Sequence, residues 1–265
     1  MKIAITGSNC FLGIFLAKFF KDAGYEILEI NRKKKFNLKN ETPFNFRNKK
    51  IDVLIHLAHN YSSKSLEVNF KGTKKLFKNA IKNKIKKKVF ISSLSSHRNA
   101  ESIYGKTKFK IEKFCLKNEI IIIRPGLIFG YKLDKKLSLL KKIISYLPVL
   151  PYFEKKSNFI YSVSVDELSF IINKILKKKD HTKIYNVFNK KKIFFIDLIR
   201  LSKTQKIKIK LPFFLFYYSA HLISKLVYLK SIDSFLGLLN NRINYSSISE
   251  KNFYTKKSLI DKVQN

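Results

Sequence analysis

The sequence of 265 residues is poor in cysteine, glycine, proline and acidic residues, and it contains no tryptophan. Two cysteines, Cys10 and Cys115, are too few for a disulfide framework, and no set of Cys and His has the spacing of metal ligands. The N-terminus shows neither a long apolar segment nor a cleavage site of a signal peptide. The sequence therefore predicts a cytoplasmic protein without a structural metal.

The small number of acidic residues leaves a formal net charge of +37, from 55 Lys and Arg against 18 Asp and Glu. Nucleic acid or an anionic membrane would attract such a chain, but a lysine-rich proteome would produce the same composition. The lysines occur in short runs along the whole chain rather than in one basic arm. This spread disfavours a nucleic-acid partner, whereas an anionic substrate such as a nucleotide diphosphate would be drawn to the surface.

Strand and helix patterns alternate through the first half of the chain, which predicts an α/β protein with a doubly wound parallel sheet. The predicted strands are Lys2–Thr6, Glu26–Ile30, Asp52–Leu57, Lys88–Ser92 and Ile120–Arg124. The predicted helices are Phe11–Ala23, Leu66–Lys82 and Ile103–Leu116. Hydrophobic residues make up 45% of the chain, which is enough for one large core. We therefore expect a single domain over residues 1–265.

The second half alternates less regularly, as expected of a small C-terminal lobe that covers a substrate, within residues 131–265. The predicted elements are helices at Leu133–Tyr146, Asp166–Lys178 and Phe195–Ser202, and strands at Phe159–Val163 and Ile184–Val187. The segment Leu211–Leu229 is apolar and almost long enough to span a bilayer, but it contains His221 and Lys225. We expect a buried or amphipathic helix there, with membrane association as the alternative.

Tyr104 and Lys108 form the most informative pair of residues, because four residues of helix place both side chains on one face. An ordinary tyrosine has a pKa of about 10 and is a poor base at neutral pH. A neighbouring ammonium favours the phenolate and lowers that pKa. Ser92 and Ser93 precede the pair, so the sequence predicts a proton-transfer unit built from Ser93, Tyr104 and Lys108.

The segment Thr6–Gly13 lies between the first strand and the first helix, where glycines let the backbone turn tightly against a pyrophosphate. It resembles the T-G-x-x-G-x-x-G turn of the NAD-dependent epimerase/dehydratase family, in the extended branch of the short-chain dehydrogenase/reductase superfamily. Cys10 replaces the middle glycine, and its Cβ crowds the expected cofactor. Further resemblances follow in the order of the family, at residues 52–58, 69–73, 89–93, 123–130, 165–166 and 185–187.

The resemblance implies a Rossmann-type fold and hydride transfer to or from a nicotinamide cofactor. In that case Tyr104 is the general acid/base, Lys108 lowers the pKa of Tyr104 and binds the nicotinamide ribose, and Ser93 polarises the substrate. The implied cofactor-binding residues are Gly7, Asn9, Cys10, Phe11, Leu12, Gly13, Asn31, Arg32, Leu57, Ala58, His59, Asn69, Tyr104, Lys108 and Pro125.

The choice between NAD and NADP depends on the end of the second strand, where an acidic residue would bind the ribose 2′-hydroxyl of NAD. This chain has Asn31, Arg32 and Lys33 at that point, and a cationic side chain suits a 2′-phosphate. Asn37 stands where the family usually carries an acidic residue near the adenine. The local chemistry favours NADP, the family mostly uses NAD, and both remain open.

Tyr104 comes only eleven positions after Ser93, so the loop that touches the substrate in the family is shortened. No acidic pair accompanies Ser93, which makes dehydration less favoured than epimerisation or reduction. The implied function is an NAD(P)-dependent epimerase or reductase of a nucleotide-activated sugar, with a homodimer as the implied assembly. The alternative is a dinucleotide-binding sensor or assembly protein without turnover, which Cys10 favours.

Overall fold

The computed structural model describes the chain in segments whose placement is defined. These are residues 1–34, 36–39, 44–61, 65–130, 150–152, 159–178, 183–194, 197, 208–210, 212, 250–259 and 261. The side chains of residues 34, 65, 150–152 and 208–210 are outside this description.

Thirteen strands and four α-helices lie in the described segments. The strands are β1 (Lys2–Thr6), β2 (Glu26–Ile30), β3 (Val53–His56), β4 (Lys87–Ile91), β5 (Ile121–Pro125), β6 (Leu127–Phe129), β7 (Leu150–Tyr152), β8 (Phe159–Ile160), β9 (Ser162–Ser164), β10 (Ile184–Phe188), β11 (Ile193–Phe194), β12 (Lys208–Lys210) and β13 (Glu250–Tyr254). The helices are α1 (Phe11–Asp22), α2 (Ser65–Lys82), α3 (Ile103–Lys117) and α4 (Val165–Lys177), and a short 3-10 helix spans Arg32–Lys34.

Seven of these strands form one parallel sheet in the order β13-β10-β5-β4-β3-β1-β2. Helices cover both faces, as expected of a parallel sheet, and its central strands β1, β3 and β5 are largely buried. Helices α1 and α4 pack on one face through side chains such as Leu16 and Ile172. Helices α2 and α3 pack on the other through side chains such as Phe77 and Ile111. The doubly wound, Rossmann-type sheet predicted from the sequence is confirmed.

The predicted elements in the described segments agree with the structure to within two residues at each end, with one division. The predicted strand Phe159–Val163 is two short strands, β8 and β9, separated by the buried Tyr161. Strand β13 was not predicted, because its sequence EKNFY is short and mostly polar. Its place in the sheet depends on pairing with β10, more than sixty residues earlier in the chain.

Most of the expected C-terminal lobe lies outside the described residues, including the predicted helices Leu133–Tyr146 and Phe195–Ser202 except residue 197. The apolar segment Leu211–Leu229 also lies outside them, apart from Pro212. Within the described part of the chain, no helix is both long enough and apolar enough to cross a membrane. The lobe and the single-domain organisation therefore stay predictions.

The order of the sheet reverses at β1, which has β2 on one side and β3 on the other. The connections that leave β1 and β3 consequently diverge and open a crevice at the carboxyl ends of these strands, which is the usual ligand site of such sheets. The glycine turn, the end of β2 and the segment after β3 all meet at this edge.

Candidate active site

The turn between β1 and α1 requires glycine at two positions. Gly7 has a φ of 73°, its N–H donates to the Ile30 carbonyl at 2.8 Å, and a Cβ on it would lie 2.9 Å from the Ala58 nitrogen. A Cβ on Gly13 would lie within contact distance of the Gly7 carbonyl oxygen, far closer than real atoms approach. Both glycines therefore let the start of α1 pack directly against the end of β1.

Cys10 takes the place of the middle glycine as the N-cap of α1. Its φ of −82° is an ordinary extended conformation, and its sulfur accepts a hydrogen bond from the Gly13 N–H at 3.3 Å. Burial raises the pKa of the Cys10 thiol, although the backbone N–H groups of Gly13, Leu12 and Cys10 itself act in the opposite direction. Because these donors converge at the helix N-terminus, the turn has the character of an anion site.

A cleft of about 230 Å³ opens at this turn. Its lining residues are Gly7, Asn9, Cys10, Asn31, Arg32, Phe36, Asn37, Leu38, Leu57, Ala58, His59, Asn60 and Tyr61. Eight of them are among the predicted cofactor-binding residues, and Asn37 stands at the position that the sequence placed near the adenine. Phe36, Leu38, Asn60 and Tyr61 were not predicted. Backbone donors on one wall and apolar side chains on another suit a ligand that joins phosphates to a planar ring.

Seven of the predicted cofactor-binding residues do not line this cleft: Phe11, Leu12, Gly13, Asn69, Tyr104, Lys108 and Pro125. Asn69 is fully buried, and its side-chain amide accepts from the Asn60 N–H and donates to the Asn60 carbonyl, both at 2.7 Å. The Pro125 carbonyl accepts from the Leu94 N–H at 3.2 Å. Asn69 thus fixes the segment after β3, and Pro125 fixes the segment after Ser93.

A buried chain of polar side chains connects β1, β3 and α2 beneath the cleft. His56 Nδ1 lies 2.6 Å from Thr6 Oγ1, and His56 Nε2 lies 2.9 Å from Thr73 Oγ1. Burial, with a smaller contribution from the charge of Lys108, lowers the pKa of His56 to about 3. His56 is therefore a neutral structural bridge, and it contributes to the stability of the fold at neutral pH.

The pKa of His56 makes stability depend on pH. The unfolded chain binds a proton at His56 below about pH 6.5, whereas the folded protein does not until about pH 3. We expect the free energy of unfolding to fall as the pH drops from 6.5 towards 3, by up to about 1.4 kcal/mol per pH unit from this residue. Urea denaturation at a series of pH values between these limits measures the slope.

His56→Gln is the control for this pH dependence, because glutamine can bridge two hydroxyl groups and does not titrate. The difference in unfolding free energy between the two proteins isolates His56, since all other titrating groups are common to both. Parallel curves for the variant and the original protein would contradict the role given to His56.

The hydroxyl groups of Ser93 and Tyr104 meet beside the cleft. Ser93 follows β4 and Tyr104 lies in the first turn of α3, and a hydrogen bond joins the Ser93 hydroxyl to the Tyr104 phenol. Ser93 Oγ also lies 2.8 Å from Ser95 Oγ and accepts from the Ser95 N–H at 3.2 Å. The predicted Ser and Tyr are therefore together, and Ser95 holds the serine in place.

The pKa of Tyr104 is raised above its ordinary value, so the prediction that Lys108 lowers it is wrong for this structure. Burial of the phenol is the main cause, the charges of Tyr61 and Cys10 add to it, and the hydrogen bond from Ser93 opposes it. The buried Lys108 ammonium donates to the Ile91 carbonyl at 2.7 Å and lies 5.6 Å from the centre of the Tyr104 ring. Tyr104 is therefore a protonated phenol.

Two aromatic side chains after β3 surround Tyr104. The ring centre of His59 lies 5.0 Å from that of Tyr104, and the Tyr61 ring stacks parallel to Tyr104 at 6.2 Å. His59 and Tyr61 also contact each other at 4.6 Å. Tyr61 was missed from the sequence, because a tyrosine in an irregular segment carries no motif.

The short connection from Ser93 to Tyr104 packs closely on the start of α3. Ser102 is the N-cap of α3 and accepts from the Gly105 N–H at 3.0 Å. A Cβ on Gly105 would lie 2.5 Å from the Ser95 carbonyl oxygen and 2.9 Å from the Ala100 methyl group. The glycine after Tyr104 therefore lets this shortened loop place Ser93 beside the phenol.

Comparisons with known proteins bear on the family and the fold of the chain. The family model described as "NAD dependent epimerase/dehydratase family" matches residues 3–187. No curated protein sequence matches the chain.

Solved structures of low sequence identity share the fold. A dTDP-4-dehydrorhamnose reductase from Bacillus anthracis in complex with NADP has a TM-score of 0.65 at 16% identity, covering 81% of this chain and 86% of that one. A UDP-glucuronic acid 4-epimerase from Bacillus cereus in complex with NAD has a TM-score of 0.62 at 20% identity, covering 79% and 87%. An NAD-dependent NDP-hexosamine 5,6-dehydratase, TunA, has a TM-score of 0.64 at 15% identity, covering 80% and 84%.

Proposed function

The chain belongs to the NAD-dependent epimerase/dehydratase family, and on this premise we propose that it is an NAD(P)-dependent epimerase or reductase of a nucleotide-activated sugar. The observation that carries the proposal is the hydrogen bond between Ser93 and Tyr104, with Lys108 buried one turn further along α3 and the cleft beside them. This arrangement matches the requirements of proton transfer next to a bound redox cofactor.

The residues of the cleft fit a nicotinamide dinucleotide. Gly7 and Gly13 leave room for the backbone to approach the phosphates, and the N-terminus of α1 supplies donors for their charge. The side chain of Cys10 is turned onto Gly13 N–H, so its thiol caps the helix. When bound, the cofactor supplies hydride acceptance or donation.

Tyr104 is proposed to donate and accept the proton of the substrate hydroxyl or carbonyl group. The phenol is protonated at neutral pH, which is the form that donates to a carbonyl oxygen during reduction, but its raised pKa makes it a weaker acid than an ordinary tyrosine. Ser93 already hydrogen-bonds the phenol oxygen and is positioned to polarise the same substrate oxygen. Lys108 is held by the Ile91 carbonyl and is proposed to bind the nicotinamide ribose.

The substrate is proposed to be a nucleotide sugar, because the similar structures include a UDP-glucuronic acid 4-epimerase and a dTDP-4-dehydrorhamnose reductase. The short, closely packed connection before α3 leaves less of the chain to contact the sugar than a long loop would. We place the substrate lobe within residues 131–265 of a single domain and the protein in the cytoplasm, with a homodimer as its assembly.

Purification followed by mass spectrometry of the bound small molecules tests the proposal, together with turnover of a panel of nucleotide sugars with NADH and NADPH. We expect a dinucleotide to copurify with the protein. We also expect NADH or NADPH to be oxidised only when a suitable nucleotide sugar is present. If the protein binds a dinucleotide tightly but turns over no nucleotide sugar with either NADH or NADPH, the result would instead favour a sensor or assembly protein.

Arg32 is proposed to favour NADP over NAD. It is exposed, it lines the cleft after β2, and neither of its sequence neighbours, Asn31 and Lys33, is acidic. We expect Arg32→Asp to lower the affinity for NADPH relative to NADH by about 10-fold or more, because one charge-assisted contact to the 2′-phosphate is lost and a repulsive one is introduced. Fluorescence titration with both reduced cofactors measures the ratio.

Lys33→Asp is the matched control for Arg32→Asp. Lys33 is also exposed and carries the same charge, but it does not line the cleft. An equal change of the affinity ratio in both variants would show that general electrostatics, rather than Arg32, sets the preference.

A further inference from the structure

Ser95 joins the hydroxyl group of Ser93 to the start of α3. It is buried, its Oγ lies 2.8 Å from Ser93 Oγ, and its N–H donates to Ser93 Oγ at 3.2 Å. Its carbonyl oxygen lies 2.5 Å from the position that a Cβ on Gly105 would take, directly after Tyr104. The same residue therefore contacts the serine of the predicted proton-transfer unit and the helical turn that carries the phenol.

Ser93 Oγ has three hydrogen-bond partners, which are the Ser95 N–H, the Ser95 hydroxyl and the Tyr104 phenol. A serine hydroxyl has one proton to donate and two lone pairs that accept. The Ser95 N–H occupies one lone pair, because a backbone amide N–H can only donate. One proton and one lone pair are left for the two hydroxyl partners. Ser93 therefore donates to one of these hydroxyl groups and accepts from the other.

The direction of this chain of hydroxyl groups depends on the proton of Tyr104. A phenolate oxygen can only accept, so Ser93 donates to it once Tyr104 has given up its proton. Ser93 then accepts from the Ser95 hydroxyl, and both serine protons point towards Tyr104. Hydrogen bonds to a charged acceptor are roughly twice as strong as neutral ones, and successive hydroxyl groups polarise one another. The contact between the two serines is therefore most stabilising when the phenol oxygen carries negative charge.

We propose that Ser95 is a positioning residue, whose hydroxyl directs the Ser93 proton towards the oxygen that becomes negatively charged during proton transfer. This inference rests on the reaction proposed above. During reduction the substrate carbonyl carbon receives a hydride from the reduced cofactor, the carbonyl oxygen receives the Tyr104 proton, and the O–H bond of the phenol breaks. The O–H bonds of both serines rotate and stay intact, so Ser95 stabilises the phenolate through Ser93 without exchanging a proton itself.

Ser96 supplies the matched control, because it is buried in the same short connection. Within the described part of the chain its hydroxyl has no hydrogen-bond partner, and its backbone N–H donates to the Ser93 carbonyl at 3.0 Å. Ser95→Ala and Ser96→Ala remove the same atom at neighbouring positions and keep the backbone contacts of both residues. A difference between the two variants therefore reports the contact of Ser95 Oγ with Ser93.

Steady-state kinetics with a nucleotide sugar and the reduced cofactor is the first test. We expect Ser95→Ala to lower kcat by about 10-fold and to leave KM nearly unchanged, because the lost bond is strongest once proton transfer has begun. Ser96→Ala should keep the kcat of the original protein. In a Ser93→Ala background, Ser95→Ala should cause no further loss, since Ser95 acts through Ser93. An equal loss in the two single alanine variants, an undiminished kcat in Ser95→Ala, or an additive loss in the double variant would overturn the inference.

A second measurement does not depend on turnover. The carbon-13 chemical shift of tyrosine Cζ responds to the hydrogen bonds of the phenol oxygen, and Tyr104→Phe identifies the Tyr104 signal among those of the thirteen tyrosines. The signal is expected to move in Ser95→Ala and to stay in place in Ser96→Ala. An unmoved signal in Ser95→Ala would overturn the inference, whatever the turnover. A moved signal in a protein that turns over no nucleotide sugar would refute the proposed function while supporting the coupling of Ser95 to the phenol.

Discussion

Tyr104→Phe is expected to lower the rate of nucleotide-sugar-dependent oxidation of the reduced cofactor by about two to four orders of magnitude. The substitution removes the phenol hydroxyl that is hydrogen-bonded to Ser93, and it keeps the ring that stacks on Tyr61 and contacts His59. Since the loss is confined to proton transfer, the affinity for the dinucleotide and the thermal stability should stay unchanged.

Tyr61→Phe is the matched control for this experiment. Tyr61 is a phenol that stacks parallel to Tyr104 at 6.2 Å, but it is 38% exposed and lies on the segment after β3. Its variant should keep most of the turnover. Undiminished turnover of Tyr104→Phe, or an equal loss in both variants, would refute the assignment of the general acid to Tyr104.

Arg124→Ala is expected to lower the free energy of unfolding by about 3–5 kcal/mol. Arg124 on β5 bonds both oxygens of Glu112 on α3, at 2.9 and 2.7 Å, and Glu250 on β13 at 3.1 Å. The Glu112 side chain is only 2% exposed, so the variant would leave a carboxylate buried without its cation. Urea denaturation at neutral pH measures the loss.

The ion pair also bears on the site, because Glu112 lies one turn after Lys108 on α3. Arg124→Ala removes a contact that holds α3, the helix of Tyr104 and Lys108. We therefore expect this variant to lose turnover as well as stability. Arg124→Lys should lose less stability, since it keeps the charge but not the two parallel bonds to Glu112.

Lys21→Ala is the control for the ion pair, because it breaks the contact with Glu29 between side chains that are 54% and 33% exposed. An exposed pair of this kind contributes at most about 1 kcal/mol. A loss in Arg124→Ala no larger than in Lys21→Ala would show that the network of Arg124, Glu112 and Glu250 does not stabilise the fold.

The local features of the site were predictable from the sequence. Gly7 and Gly13 follow a strand and open a helix, and a turn of that kind has few other structural solutions. Tyr104 and Lys108 share a helical face, which follows from their spacing alone. The apolar residues before Ser93 predicted a strand, so Ser93 was expected at its end. In the structure the Ser93 hydroxyl is hydrogen-bonded to the Tyr104 phenol.

The electrostatics of the pair were not predictable, because they depend on neighbours distant in sequence. Spacing places Lys108 on the same helical face as Tyr104, but the Ile91 carbonyl on β4 holds its ammonium. Burial and the Tyr61 phenol raise the pKa of Tyr104. The hydrogen bonds of Asn69 to the backbone of Asn60 were not predictable for the same reason, because they depend on how α2 packs against the segment after β3.

The amino-acid sequence was enough to predict an α/β protein with a parallel sheet. It also predicted the glycine turn before the first helix and the position of Tyr104 and Lys108 on one face of a helix. These properties follow from backbone conformation and from short-range periodicity. Strand order and the joining of Arg124 to Glu250 arose only from tertiary packing. The choice of which elements become neighbours depends on burying apolar faces that are far apart in sequence, and no local pattern records that choice.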